Sequence, residues 1–186
     1  MKIAFELSQA DLEHFREVMV KARENAADRS LEDVVNRATE VLEEVNRSGT
    51  SDFIRERMSV LDTLIGMVMD QGWGLVEEDR DRVVAALSYF SEAEDLIPDD
   101  IPGLGFLDDA IMVEIVSREL KHEIQAYRDF VVFRASEQAR QAGSENPELA
   151  RSDWLEQRRQ QLHSRMRRRR RRGRDGGSRR SPFSMF

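Results

Sequence analysis

Of the five aspartates within the fifteen residues 95–109, four, Asp95, Asp99, Asp108 and Asp109, form a candidate cluster interrupted by Pro98, Pro102, Gly103 and Gly105. Hard divalent cations such as Mg²⁺ and Ca²⁺ take oxygen ligands, so acids gathered at a chain corner are candidate metal ligands. The same acids have a structural reading. In the first turn of a helix they accept hydrogen bonds from free N–H groups and favour the dipole. That reading makes them caps and corner hydrogen bonds, and no cofactor is expected. Glu119 and His122 form a Glu-x-x-His pair at helical spacing. Di-iron bundles use two such pairs plus two further carboxylates. The partial partner here is Asp11 with His14, whose acid is one carbon short, so the pair reads as a solvated helix face.

A second chemistry resides in charge. Arg167, Arg168, Arg169, Arg170, Arg171 and Arg172 are consecutive, with Arg158, Arg159, Arg165, Arg174, Arg179 and Arg180 around them. From Gln157 to Phe186 the chain holds twelve Arg and one acid, a net +11. The remaining 17 basic and 35 acidic residues leave the body at −18, so the overall −7 joins two opposed parts. Such asymmetry points to an interaction tail. An Arg run can hold an anionic membrane, at about 1 kcal/mol per residue near the surface, with Phe183, Met185 and Phe186 inserting shallowly. It can neutralise phosphates of RNA or DNA without sequence preference. It can also fold onto the acidic body, or onto a neighbour's. A solvated extension without a partner is the fourth reading. No aromatic residue interrupts the run, so no base-stacking platform is expected.

The composition closes other routes. There is no Cys, which excludes disulfides, thiolate metal sites and cysteine nucleophiles. No P-loop, Gly-x-Ser-x-Gly, His-Glu-x-x-His or dinucleotide fingerprint occurs. The segment Met1 to Asp11 lacks the apolar core of a secretory signal. No run approaches the roughly 18–20 apolar residues of a membrane-spanning helix. These features predict a cytoplasmic protein that is not an enzyme and has no small-molecule substrate.

The elements that position these residues read as helical almost throughout. Ser8 precedes an apolar face of Leu12, Phe15, Met19, Ala22 and Ala26, the three-four rhythm of a helix. Ser30, with Asp33 three residues on, opens a second helix over Leu31, Val34, Ala38, Val41 and Val45. Gly49-Thr50-Ser51 breaks it, and Asp52 opens a third with Ile54, Met58, Leu61, Ile65 and Val68. Gly72-Trp73-Gly74 is a turn signal. Glu77, Glu78 and Asp79 suit the positive end of a fourth helix that uses Val83, Val84, Leu87 and Phe90. After the Pro/Gly corner, where Gly103 and Gly105 permit positive φ, one long helix is predicted from Leu107 to Gln141, with Val116, Leu120, Ile124, Tyr127 and Val131 on one face. A polar helix from Glu148 to about Arg165, sparse in apolar residues, is expected to pack weakly or project. Lys2 to Leu7 is the one weak strand signal. The expected fold is all-α: a bundle of about five amphipathic helices. Its organisation is a helical domain over 1–143, a polar helix over 144–166 and a disordered Arg-rich tail over 167–186.

One segment carries a resemblance. Tyr89 and Phe90, then Asp95, Leu96, Ile97, Pro98, Asp99, Ile101, Pro102, Leu104, Gly105, Leu107, Asp108 and Asp109 match in order a signature close to Tyr-Phe-x-x-Pro-x-Asp-Leu-Ile-Pro-Asp-x-Ile-Pro-x-Leu-Gly-x-Leu-Asp-Asp. This resembles the bacterial YkvA-like family, a domain of unknown function (DUF1232), with the family region at about 83–131. The chain departs at Glu92-Ala93-Glu94, where that family often has Ser-Pro-x or a similar apolar stretch. The resemblance implies a helix–corner–helix element and no reaction. Members often look membrane-associated, with apolar helices flanking the motif. The acids in this chain stand against an integral membrane role, and the resemblance together with the Arg run points to peripheral association with the inner membrane or with a protein partner there. A nucleic-acid-binding accessory protein is the alternative, and a metal-dependent enzyme at the acidic corner the remote one.

Overall fold

The computed structural model describes residues 8–25, 29–91, 101, 105–141 and 151–175. Among these there is no strand and there are seven α-helices. The first two begin with reciprocal caps. Ser8 accepts from the Asp11 N–H at 3.2 Å, and the Asp11 carboxylate accepts from the Ser8 N–H at 2.8 Å. The helix that follows, α1, runs Gln9–Asn25. Ser30 and Asp33 repeat the box before α2, Leu31–Arg47. Such caps satisfy N–H groups that a helix start leaves unpaired. Helix α3, Asp52–Met69, opens at Asp52 as expected and is capped by Ser51.

Helix α3 is the hub of the bundle. It touches α2, α4 (Glu77–Ser88), α5 (Leu107–Glu119) and α6 (Lys121–Gln141). Ile54, Met58, Leu61, Leu64 and Met67 are essentially solvent-free, each such side chain contributing about 1.5–3 kcal/mol by burial. Ile65 and Val68 lie at the edge of this core. Helix α1 packs on α4 and on the 3₁₀ turn Tyr89–Ser91, and α2 on α3, α4 and the same turn.

The single long helix expected from Leu107 to Gln141 is two helices. The chain bends at Leu120 (φ −94°, ψ 16°). No Pro or Gly marks the bend, and the bonds Leu120 N–H to Val116 O (2.9 Å) and Ile124 N–H to Leu120 O (2.8 Å) carry across it. Tertiary packing sets it: α5 is buried on most sides against α3, while α6 lies against α3 and also against the last helix.

That last helix, α7, spans Arg151–Asp175. It corrects one expectation. The polar helix does not project, because Leu162, His163 and Met166 are buried and α7 lies along α6. Arg167 to Asp175, the first part of the expected tail, continue the same helix. Arginine is a good helix former, and carboxylates of the body offset the repulsion within the run. The boundary expected at 166/167 therefore falls inside a helix. Residues 176–186, the weak strand signal at Lys2 to Leu7, and Asp95, Leu96, Ile97, Pro98, Asp99, Pro102 and Leu104 of the corner lie outside the described residues. No described helix is long and apolar enough to cross a membrane.

Candidate functional site

The docking side of α7 follows its sequence phase. Leu162, Met166 and Arg170 stand four residues apart, with His163 beside the first. Residues at that spacing share a helix face, so one arginine of the run must turn towards the bundle. The structure selects Arg170. Its guanidinium lies between the carboxylates of Asp79 on α4 and Glu123 on α6, bonded to Asp79 and 3.3 Å from Glu123 Oε1. Glu78 accepts from its other terminal nitrogen at 3.2 Å. Arg82 of α4 pairs with the same oxygen, Glu123 Oε1. The Asp79 and Glu123 side chains are fully buried, while the two arginines keep about one-sixth of their surface exposed (15% and 16%). Burial alone weakens the Arg170 charge, but Asp79 and Glu123 outweigh it and hold its pKa above the usual guanidinium value. Two buried carboxylates facing two guanidiniums, with the exposed Glu78 at the edge, make the arrangement a clamp.

Two turns earlier on α7, His163 stacks on Trp73, with ring centroids 4.1 Å apart and planes 19° apart. His163 Nε2 lies 3.1 Å from the Trp73 carbonyl oxygen, so this nitrogen carries the hydrogen and donates. Its Nδ1 is buried without a hydrogen-bond partner. Burial holds the imidazole below its ordinary pKa. The Trp73 hydrogen bond and Asp79 oppose that shift, and the charges of Arg167 and Arg159 reinforce it. Trp73 is itself solvent-free and also meets Phe130 and Tyr127 of α6 at 5.2 and 5.8 Å.

The turn that presents Trp73 is tied at its base. Asp70 Oδ1 accepts from the N–H groups of Gly72 (3.0 Å) and Trp73 (3.2 Å). Arg134 grips the same carboxylate at 2.7 and 2.8 Å, and the Tyr127 hydroxyl lies at 3.3 Å. Burial disfavours the Asp70 charge, but these partners, Arg134 foremost, outweigh it and hold the carboxyl below its ordinary pKa. Gly74, at φ +52°, lets the chain leave the turn in the left-handed region, which costs an L side chain about 1–2 kcal/mol.

The opposite side of α7 faces solvent. Arg165, Arg168, Arg169, Arg171 and Arg172 are exposed, and Arg167 is half-buried. Lys121 and His122 stand at the start of α6: burial first, then the charges of Lys121 and Arg169, hold His122 below its ordinary pKa, against the pull of Glu123, so His122 adds no charge to the arginines. The Arg run therefore splits into one clamping residue and a ridge.

The sequence-predicted residues sort differently. Asp108 and Asp109 occupy the first turn of α5 and are buried, at 2% and 6% exposure. The residue with positive φ at this corner is Phe106 (φ 63°), and Gly105 is not in that region. Ile101 is exposed and its carbonyl accepts from the Gly105 N–H at 2.8 Å; Leu107 begins α5. The other two metal candidates, Asp95 and Asp99, lie outside the described residues. Among the described residues no three His, Asp or Glu are grouped to hold a metal ion. Glu119 and His122 fall on either side of the Leu120 bend. The acid of that region that enters the clamp is Glu123. Trp73, Asp79, Glu123 and His163 were not singled out as site residues. The available signal was Glu123 on the face of Leu120, Tyr127 and Phe130, an acid on an otherwise apolar stripe at helical steps.

No curated protein and no solved structure matches the chain. Residues 82–115 match the model of a protein family of unknown function, DUF1232. The match begins at Arg82 of the clamp and ends in α5, so Asp79, Glu123 and α7 lie beyond it. In these 34 residues the chain is similar to the DUF1232 family.

Proposed function

We propose that this protein is a non-enzymatic helical module that attaches peripherally to an anionic membrane surface, on the cytoplasmic side, through the outward ridge of α7. One observation carries the reading: the seat of α7 consumes Arg170 and leaves Arg168, Arg169, Arg171 and Arg172 exposed on a helix packed against the body. A cationic ridge held in place loses less conformational entropy on binding than a free tail. Each arginine contributes about 1 kcal/mol near an anionic leaflet, so four supply roughly 4 kcal/mol, about a thousandfold in affinity. The acidic body is repelled by the same leaflet, which leaves the ridge as the contact.

The test is flotation of the full chain with vesicles of phosphatidylcholine alone or with about one-third phosphatidylserine. Binding is expected with the anionic vesicles only, and to fall as salt shortens the Debye length from about 30 Å at 0.01 M to about 8 Å at 0.15 M. Absence of flotation at low salt, together with retention of duplex RNA or DNA on filters, overturns the membrane reading in favour of phosphate-backbone binding.

A further inference from the structure

The clamp explains Arg170, but the stacked His163 has no part in it. His163 is buried, at 5% exposure, on the same solvent-free indole that fills the centre of the α7 seat. Its Nε2–H is committed to the Trp73 carbonyl, so an added proton must go to Nδ1, which is enclosed and has no acceptor. The charged form would therefore place an unpaired N–H donor in the seam, at the cost of a buried polar group without a partner.

The charged groups around the ring act in both directions. From α7 itself, Arg159 and Arg167 oppose a second positive charge, and Glu156 lies within electrostatic range. From α4, Asp79 favours it, but that carboxylate is already bonded to Arg170. From α6, Glu123 is engaged by Arg82 and Arg170. The turn contributes the Trp73 carbonyl, which already has its donor. The Asp79 and Glu123 carboxylates thus each already face a guanidinium through one oxygen, Asp79 Oδ1 and Glu123 Oε1, while Asp79 Oδ2 and Glu123 Oε2 accept no hydrogen bond, and none is bonded to Nδ1 of His163.

We propose that the seat of α7 is a proton-operated latch, in which protonation of His163 at Nδ1 releases α7 from Trp73 and from the Asp79–Glu123 clamp while the rest of the bundle stays folded. The neutral imidazole is the docked form. Stability of the seam is complete above the ordinary histidine range, near pH 6.5, and declines as the pH falls below it, because the released state binds the proton more readily. A single proton limits the fall in the docked-to-released ratio to about tenfold per pH unit. Release frees Arg170 and adds its charge to the ridge. That consequence rests on the proposed attachment to anionic surfaces; the latch itself does not.

The experiment uses the full chain with Trp154→Phe, which leaves Trp73 as the one tryptophan, in the absence of vesicles. Acrylamide quenching of Trp73 is expected to rise as the pH falls from 8 to 5. Over the same range, hydrogen exchange accelerates in α7 and stays slow in α3. His163→Gln keeps a donor for the carbonyl without the titration, and His163→Phe keeps the stack without it. Both are expected to remove the step. The latch is overturned if Trp73 stays unquenched to pH 5, if α3 and α7 lose protection together, or if either folded variant retains the step. Vesicle flotation at pH 7.5 and 5.5 then reads the attachment separately, so failure of one does not imply failure of the other.

Discussion

Arg170 closes an ion pair with Asp79, 91 positions earlier in the chain. This pair joins the C-terminal Arg run to the acidic body and turns a block of like charge into part of the fold. It also leaves two fully buried carboxylates, Asp79 and Glu123, dependent on cations supplied by α7 and α4.

Removing one partner of a buried pair strands the other charge, at roughly 3–5 kcal/mol. Arg170→Gln is therefore expected to lower the urea midpoint strongly, and Arg171→Gln, one residue on and exposed, to change stability by no more than about 0.5 kcal/mol. Adding Asp79→Asn to Arg170→Gln should recover part of the loss, the signature of coupled sites. Equal, small effects of Arg170→Gln and Arg171→Gln in urea titrations would show that α7 is not clamped.

Trp73→Ala empties the centre of the seat and is expected to cost about 3–5 kcal/mol. Trp73→Phe should cost clearly less, because the indole N–H has no hydrogen-bond partner to lose. Thermal unfolding of the two variants checks the order.

Two glycines make a controlled comparison. Gly74 has φ +52°, while a Cβ at Gly49 meets nothing within 4 Å. Gly74→Ala is expected to destabilise by about 1–2 kcal/mol and to displace the Arg159 side chain, 2.7 Å from the new Cβ. Gly49→Ala should stay within about 0.5 kcal/mol of the parent. Matching denaturation midpoints for both would contradict the conformation assigned to the Trp73 turn.

Asp70 supplies a pH prediction with a defined sign. Its folded pKa is depressed below 3.8. The stability it contributes is present above that value and is lost as the pH falls through the folded pKa. Arg134→Gln removes the principal partner, so the variant should lose its excess instability in strong acid. Urea midpoints of parent and variant are expected to differ most near neutrality and to converge in strong acid, as the pH falls through the depressed pKa of Asp70.

Much of this arrangement was legible in the residues. The capping boxes at Ser8 and Ser30, the glycine breaks and the apolar faces of α2 and α3 each state a local rule that the fold obeys. The α7 seat was harder, because six identical arginines give no local sign of which one turns inward. Only the phase of Leu162 and Met166 distinguishes Arg170, and that phase has meaning once α7 is known to pack. Trp73 shows the same limit: between two glycines it marks a turn, while its burial depends on α6 and α7, distant in sequence. The bend at Leu120 has no local marker either, since the packing of α5 and α6 on different neighbours produces it. The Glu-x-x-His spacing was lost to that bend.

In the proposed attachment the outward arginines of α7, and not the helix as a whole, hold the anionic surface. The most direct measurement is vesicle partitioning of the full chain carrying Arg168→Gln, Arg169→Gln, Arg171→Gln and Arg172→Gln together, all at exposed positions. The account predicts unchanged thermal unfolding and a loss of binding to phosphatidylserine-containing vesicles of up to about a thousandfold. Partitioning equal to that of the parent chain, in a variant that remains folded, would contradict it.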